Sequence, residues 1–218
     1  MGDWYVLANI PTYFEKDATN CIERYVWNAA RNLVEINFYY KPKNTSATNS
    51  SSSSRKLNLN IKDMTTTRMH GMITEQNTKW LLNPKIGIYW AFNLSYLILD
   101  LADDYSYVMI GVPDRSYLWI MTRKVPISTV AREEKYMTTE GVLQKANEEI
   151  KVDNGVFVVQ GNLSNVPAVG SEELEQSNEN NSNIRLSLEM ETNIMDRAYK
   201  KASELGYDCS KIQRVIWE

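Results

Sequence analysis

The sequence predicts an all-β body with an aromatic interior, completed by one helix near the end of the chain. Three patterns carry this expectation. Runs rich in aromatic and β-branched residues recur through the first 123 residues with turn residues between them, as strands do. Two of these runs, Tyr107-Val108-Met109-Ile110 and Tyr117-Leu118-Trp119-Ile120-Met121, flank Gly111 and Pro113-Asp114, a break that makes a tight antiparallel hairpin. Further on, Ile194, Met195, Ala198, Ala202 and Leu205 form one apolar stripe at helical spacing, stopped by Gly206.

The second strand of the hairpin sets the geometry. Its side chains alternate, so Tyr117, Trp119, Met121 and Arg123 share one face while Leu118, Ile120 and Thr122 share the other. Neither face is polar before Arg123. Such a strand is covered on both sides, or lines an apolar cavity on one side while another element packs on the other. A guanidinium at the end of an apolar face needs a partner, and an indole ring is a good one. The best candidate is Trp4, at the opposite end of the chain.

Gly2-x-Trp4, Asp104-Tyr105 and Pro113-Asp114-Arg115-x-Tyr117-Leu118-Trp119-Ile120-x-x-Arg123 together resemble the lipocalins, and within them the branch of the bacterial lipocalins and apolipoprotein D. Leu205-Gly206-Tyr207-Asp208-Cys209-Ser210-Lys211-Ile212 resembles the end of the last helix in the bacterial members. The hairpin motif is specific, whereas Gly-x-Trp alone is weak. The resemblance implies an eight-stranded antiparallel up-and-down β-barrel with a C-terminal α-helix packed on its wall, wide enough inside for one small ligand. It also implies structural roles for Gly2, Trp4, Asp104, Tyr105 and Arg123, with Trp4 and Arg123 closing the base.

The elements follow in order. Trp4 to Ile10 is the first strand, ended by Pro11, with Trp4, Val6, Ala8 and Ile10 on one face. Thr12 to Asn20 is a loop, which in lipocalins hangs over the mouth of the barrel. Cys21 to Trp27 and Leu33 to Lys41 are the next strands, joined by the polar Asn28 to Asn32; Arg24 faces either inward near the mouth or outward into solvent. Residues 42–54 are a low-complexity loop insert, whose Asn, Ser and Thr cannot bury apolar surface. Leu57, Leu59 and Ile61 alternate with Asn58, Asn60 and Lys62, a half-buried strand continuing to about residue 75. After Lys79-Trp80-Leu81-Leu82, the apolar loop 86–92 contains Trp90. In lipocalins this segment sits at the mouth, where it would gate the ligand, touch a membrane surface or enter a subunit interface. Tyr96 to Leu101 then leads through Asp103-Asp104-Tyr105-Ser106 into the hairpin.

Beyond Arg123 the lipocalin pattern reaches its helix within a few residues, but here an insert, 124–186, of about sixty residues intervenes. Val130 to Ile150 is charged and helical in part, Gly155 to Gly161 is a strand candidate, and the acidic, Asn-rich Ser171 to Asn183 has the composition of a disordered segment. The insert either adds a strand or packs against another subunit, so a homo-oligomer through it or through the aromatic loop is one expectation. The C-terminal helix is expected over 187–206, and the whole of 1–218 as one domain with insertions.

A net charge of −3 offers no basic face for nucleic acid. No apolar run approaches the roughly 20 residues that cross a bilayer. The chain starts almost on Gly-x-Trp, where lipocalins usually carry a leader. The expectation is a removed leader and a secreted, lumenal or vacuolar protein, the alternative a cytosolic one that begins at Met1. Cys21 and Cys209 are too far apart in sequence for a metal knuckle or a redox Cys-x-x-Cys motif. Apolipoprotein D-like lipocalins carry a bridge between these two places, so the resemblance implies a Cys21–Cys209 disulfide and an oxidising compartment. Two unpaired thiols are the alternative.

No catalytic motif is present, and Asp103-Asp104 reads as a turn cap, so no enzyme activity and no cofactor are expected. The lone His70 lies in a polar strand and is weak support for haem ligation. Asn44, Asn49, Asn93, Asn162 and Asn180 begin glycosylation triplets, which chance produces readily in an Asn-rich chain. The resemblance implies a fatty acid, lysophospholipid, sterol or similar ligand, with protection against lipid oxidation. A tetrapyrrole-handling lipocalin or a lipocalin-type enzyme is the alternative. The expected lining is Val6, Ala8, Ile10, Val26, Phe38, Trp90, Ile98, Met109, Tyr117, Trp119 and Met121. Some relatives place a carboxylate at the position of Val6, and its absence here removes a polar handle from the expected cavity floor.

Overall fold

Strands Gly2–Ile10 (β1), Ala18–Asn28 (β2), Leu33–Pro42 (β3), Thr65–Ile73 (β4), Lys79–Pro84 (β5), Leu94–Leu101 (β6), Tyr107–Gly111 (β7) and Leu118–Thr122 (β8) follow one another around one sheet. Each pairs antiparallel with the next, and β1 pairs with both β2 and β8, so the eight strands close into a barrel. Closure removes the exposed edges that an open sheet would leave. The computed structural model describes residues 1–13, 15–42, 59–74, 76–85, 93–127 and 171–217. The chain divides into two compact units, Met1–Pro126 with Glu189–Glu218, and Ile127–Leu188. The barrel belongs to the first of these.

Apolar residues on alternate faces of the strands build two cores. One lies inside the barrel and includes Trp4, Val6, Tyr25, Ile36, Phe38, Tyr96, Ile110, Trp119 and Met121. The other lies against the outer wall, where Leu7, Ala8, Met109, Leu118 and Ile120 meet Ile194, Met195, Ala198 and Ala202 of the helix Ser171–Glu204 (α1). The predicted stripe is therefore the face by which α1 packs on the barrel. Arg197 adds a polar anchor, its Nε and Nη2 each donating to an Asp100 carboxylate oxygen at 2.7 Å. Gly206, at φ +77°, ends this run in the left-handed conformation that glycine tolerates best.

Both tight turns beside the hairpin are built alike. Asp104 Oδ1 accepts from Ser106 N at 3.0 Å and Asp114 Oδ1 from Ser116 N at 3.1 Å, which lets Tyr105 and Arg115 adopt φ of +58° and +63°. The Ser106 hydroxyl, donating to Asp104 Oδ1 at 2.6 Å, and then Ser106 N hold Asp104 below the usual carboxylate range. Asp104 is a turn cap, as its position predicts.

A short strand, Gln213–Arg214 (β9), was not expected. β2 pairs with β1 only over Gly2 to Tyr5, and β9 takes the vacated edge at Ala8 and Asn9. Val215 N donates to Leu7 O at 3.0 Å, Asn20 N to Ile216 O at 2.9 Å, and the indole of Trp217 to Val6 O at 3.1 Å. The end of the chain thus satisfies backbone groups that the divergence of β2 would leave bare.

Two expectations about elements are corrected. Ile61 does not continue a strand: Ile61–Asp63 is a single 3-10 turn, because Asn60 Oδ1 accepts from Lys62 N at 3.2 Å and offers the backbone a local alternative to pairing. The strand starts at Thr65. The acidic segment Ser171 to Asn183 is helical, since α1 begins at Ser171. Glutamates are good helix formers and suit the positive end of a helix dipole. Leu57, most of the low-complexity loop 42–54, the aromatic loop 86–92 and the insert segments Val130 to Ile150 and Gly155 to Gly161 lie outside the described residues. No helix among the described residues is long and apolar enough to cross a membrane.

Candidate functional site

One end of the barrel is shut by a contact between its two chain ends. The Arg123 guanidinium lies over the Trp4 ring, 3.7 Å from its centroid, and Nη1 donates to Asp3 O at 2.9 Å. Gly2 sits beside this contact at φ +93°, a left-handed conformation that glycine adopts without strain. These are the positions Gly2, Trp4 and Arg123 were assigned from the sequence.

Directly opposite Trp4 in the β1–β2 register is Glu23, only 3% exposed. Tyr25, two residues on and so on the same face of β2, donates its hydroxyl to Glu23 Oε2. Tyr96, from the far wall, donates to the same oxygen at 3.3 Å, and the two tyrosine hydroxyls touch each other. Burial pushes the Glu23 carboxyl up to about 7; the Tyr25 hydrogen bond opposes this, the charge of Glu15 adds to it, and the Tyr96 bond opposes it.

Above this floor opens a cavity of about 300 Å³. Its walls are mainly apolar: Phe38, Met69, Leu82, Leu94, Val112, Tyr117 and the faces of Tyr96 and Trp119. Tyr96 and Trp119 stack at 6.3 Å between centroids, and Trp80 also stacks on Tyr96, at 5.9 Å. At the end away from Trp4, the loop after β1 brings Glu15 to the cavity. Its Oε1 accepts from the Trp119 indole at 3.0 Å and its Oε2 from Thr12 N at 2.9 Å. Burial raises the Glu15 carboxyl too, against the Thr12 and Trp119 hydrogen bonds. Among the described residues, no lysine, arginine or histidine lines the cavity.

Of the residues expected to line it, Phe38, Tyr117 and Trp119 do. Val6, Met121 and Ile98 belong to the barrel core without reaching the cavity. Ala8, Ile10 and Met109 are corrected to the outer core beneath α1. The cause in β1 is a bulge: its register on β8 passes from Val6↔Met121 to Ala8↔Ile120, so Leu7 is extra and alternation shifts by one. In β7 both faces are apolar, and the pairing of Met109 with Ile120 turns it outward while Val108 and Ile110 turn in. Val26 is corrected as well, being 45% exposed, because Cys21, Glu23 and Tyr25 hold the inner face of β2. Arg24 accordingly points out, its Nε and Nη2 donating to Asp3 at 2.6 and 2.7 Å. Trp90 lies outside the described residues.

The Cys21–Cys209 disulfide is not formed, and both thiols are free. Cys21 is buried in the barrel core, whereas Cys209 packs against the outer one, so the wall separates them. Burial, reinforced by the charges of Glu15 and Glu23, pushes the Cys21 thiol far up, away from the reactive thiolate. His70 alternates with Met69, which lines the cavity, and so faces out between its register partners Glu35 and Asn83. Among the described residues no cluster of metal-ligating side chains exists. The groups that sequence reasoning missed are Glu15, Glu23, Tyr25 and Tyr96. The period-two alternation through Cys21, Glu23 and Tyr25 was the available signal, masked by the assignment of Val26 to the lining, which turns the opposite set of β2 side chains inward.

Residues 1–142 match the family model described as a lipocalin-like domain. No curated protein matches the chain. Among solved structures, H1 crustacyanin from the lobster Homarus americanus is similar, with 13% identity, 74% of this chain and 77% of that one covered and a TM-score of 0.38. Insecticyanin from the tobacco hornworm Manduca sexta has 17% identity, 69% and 72% coverage and a TM-score of 0.36. Japanin from Rhipicephalus appendiculatus, bound to cholesterol, has 10% identity, 56% and 73% coverage and a TM-score of 0.36.

Proposed function

Because the chain belongs to the lipocalin-like family, whose members are typically binding and transport proteins, we propose that it carries a small hydrophobic molecule in the cavity above Glu23. The observation that carries this reading is the cavity itself: about 300 Å³ of space with mainly apolar walls, inside a barrel shut at one end by Arg123 and Trp4. That volume stands at the lower end of the roughly 300–1,000 Å³ usual for small-molecule sites. Binding draws on removal of apolar surface from water, about 25 cal/mol per Å². Glu23 and Tyr96, which line the cavity, then orient whatever polar group the ligand has, with Tyr25 holding Glu23 in place.

The family resemblance suggests fatty acids, lysophospholipids and sterols, with protection of such lipids from oxidation as a consequence. Its hairpin motif, Pro113 to Arg123, is the argument for a place beside the bacterial lipocalins and apolipoprotein D. A secreted or lumenal location belongs to the same proposal and rests on that resemblance rather than on a disulfide. The reading is of a carrier and not an enzyme: Glu23 is held by two donors as an anchor, and its neighbour Cys21 is kept from the thiolate form.

Native mass spectrometry of the protein isolated from its source, with displacement of the apolar fluorophore N-phenyl-1-naphthylamine, tests the proposal. One bound small molecule and saturable displacement are expected. A protein that arrives empty and takes up neither the fluorophore nor any of a panel of fatty acids, lysophospholipids and sterols ends the carrier reading.

A further inference from the structure

An apolar cavity that holds two carboxylates and, among its described lining residues, no cation has an electrostatic preference. Glu23 is nearly fully buried, yet both its tyrosine donors reach Oε2; among the described residues none donates to Oε1. Glu15, at the other end of the same cavity, uses both oxygens to tie down Trp119 and Thr12, and its charge reaches Glu23. Ionising both in this setting is unfavourable unless a positive charge joins them.

Resting on the carrier reading, we propose that the cavity selects a small amphiphilic amine, its ammonium group on Glu23 and its apolar body against Phe38, Met69, Leu82 and Trp119. This narrows the lipid classes that the resemblance suggests: where Glu23 is ionised, a ligand ending in a carboxylate, as a fatty acid does, or in a phosphate is repelled by the floor. A ligand ending in a hydroxyl can hydrogen-bond to Glu23 but leaves the buried charge unbalanced. The anchoring group is thus a primary ammonium or a close analogue, for which Glu23 Oε1 supplies a charge-assisted acceptor and Tyr25 and Tyr96 fix the carboxylate plane.

The test compares three ligands of equal chain length, decylamine, decanol and decanoate, as displacers of N-phenyl-1-naphthylamine at about pH 8, where Glu23 is ionised and an alkyl amine is still protonated. Decylamine is expected to bind about tenfold tighter than decanol, and decanoate weakest of the three. In Glu23→Gln the decylamine-to-decanol ratio is expected to fall by about tenfold, and in Glu15→Gln by a smaller factor, reflecting its greater distance from the anchoring oxygen. Because the three-ligand comparison needs only the unaltered protein, it stands even where a variant fails to fold. Decanoate binding as tightly as decylamine, or decylamine no tighter than decanol, overturns the amine assignment and leaves the carrier reading intact. Binding of none of the three, with no uptake of the fluorophore, removes both.

Discussion

The Arg123 guanidinium stacks on the Trp4 indole at 3.7 Å, joining two residues from opposite ends of the barrel sequence. Trp4 is 7% exposed and packs in the barrel core, so the contact closes the base as well as tying β1 to the end of β8. Trp4→Ala is expected to cost about 3–5 kcal/mol by leaving a cavity. Arg123→Ala costs about 1–2 kcal/mol through loss of the cation–π contact and of the bond to Asp3 O. Urea midpoints at unchanged slope measure both. An Arg123→Ala midpoint equal to that of the parent would show that the contact contributes nothing.

Glu23 makes stability fall as pH rises. Its carboxyl moves from an ordinary 4.5 to about 7 in the folded state, so between these values the folded chain binds more protons than the unfolded one. The stability present below pH 4.5 is lost as pH climbs through 7, by about 3 kcal/mol in all. Glu23→Gln removes this slope, leaving a variant more stable than the parent at pH 8 and less distinguishable from it at pH 4.5. Chemical denaturation of both proteins across that range checks the sign; a parent that gains stability relative to the variant on going to high pH contradicts it.

Two unpaired cysteines react differently. Cys209 is partly accessible while Cys21 is 1% exposed with its thiol pushed up by burial, so a thiol reagent is expected to label Cys209 first and Cys21 only on unfolding. Denatured, unreduced protein should yield both thiols, and reductant should leave the melting temperature unchanged. Recovery of no thiol before reduction would mean that the bridge forms after all.

Gly111 is the narrow point between the hairpin and the segment after α1. A Cβ there would stand 2.0 Å from Tyr207 Oη and 2.6 Å from Leu99 Cδ1, where the tyrosine hydroxyl passes to donate to Val112 O at 3.1 Å. Gly111→Ala is expected to cost about 2–3 kcal/mol, an overpacking penalty. Tyr207→Phe costs about 1 kcal/mol alone. Combined, they should cost less than their sum, since the phenylalanine lacks the clashing oxygen; strictly additive denaturation midpoints would rule out the contact.

Much of the fold was legible in local patterns. Tyr107 to Met121 announced its hairpin by turn chemistry and β-branched content, and the pairing of Arg123 with Trp4 followed from one charge stranded on an apolar face. The stripe from Ile194 to Ala202 named the helix face that packs on the wall. The cavity was less legible. Phe38, Tyr117 and Trp119 could be placed by alternation, but Ala8, Ile10 and Met109 could not, and the polar floor was missed.

The sequence by itself determined which residues alternate, where the chain turns, and that a guanidinium and an indole must meet, because these depend on backbone period and on the cost of an unpartnered charge. Only the tertiary structure decided which face of each strand looks inward. One bulge at Leu7 reverses every later side chain of β1, and in β2 the register on β1 sets Glu23 opposite the buried Trp4 and leaves Arg24 outside with Asp3. Side-chain orientation in a closed sheet is fixed by register with neighbours distant in sequence, and a shift of one residue exchanges inside for outside.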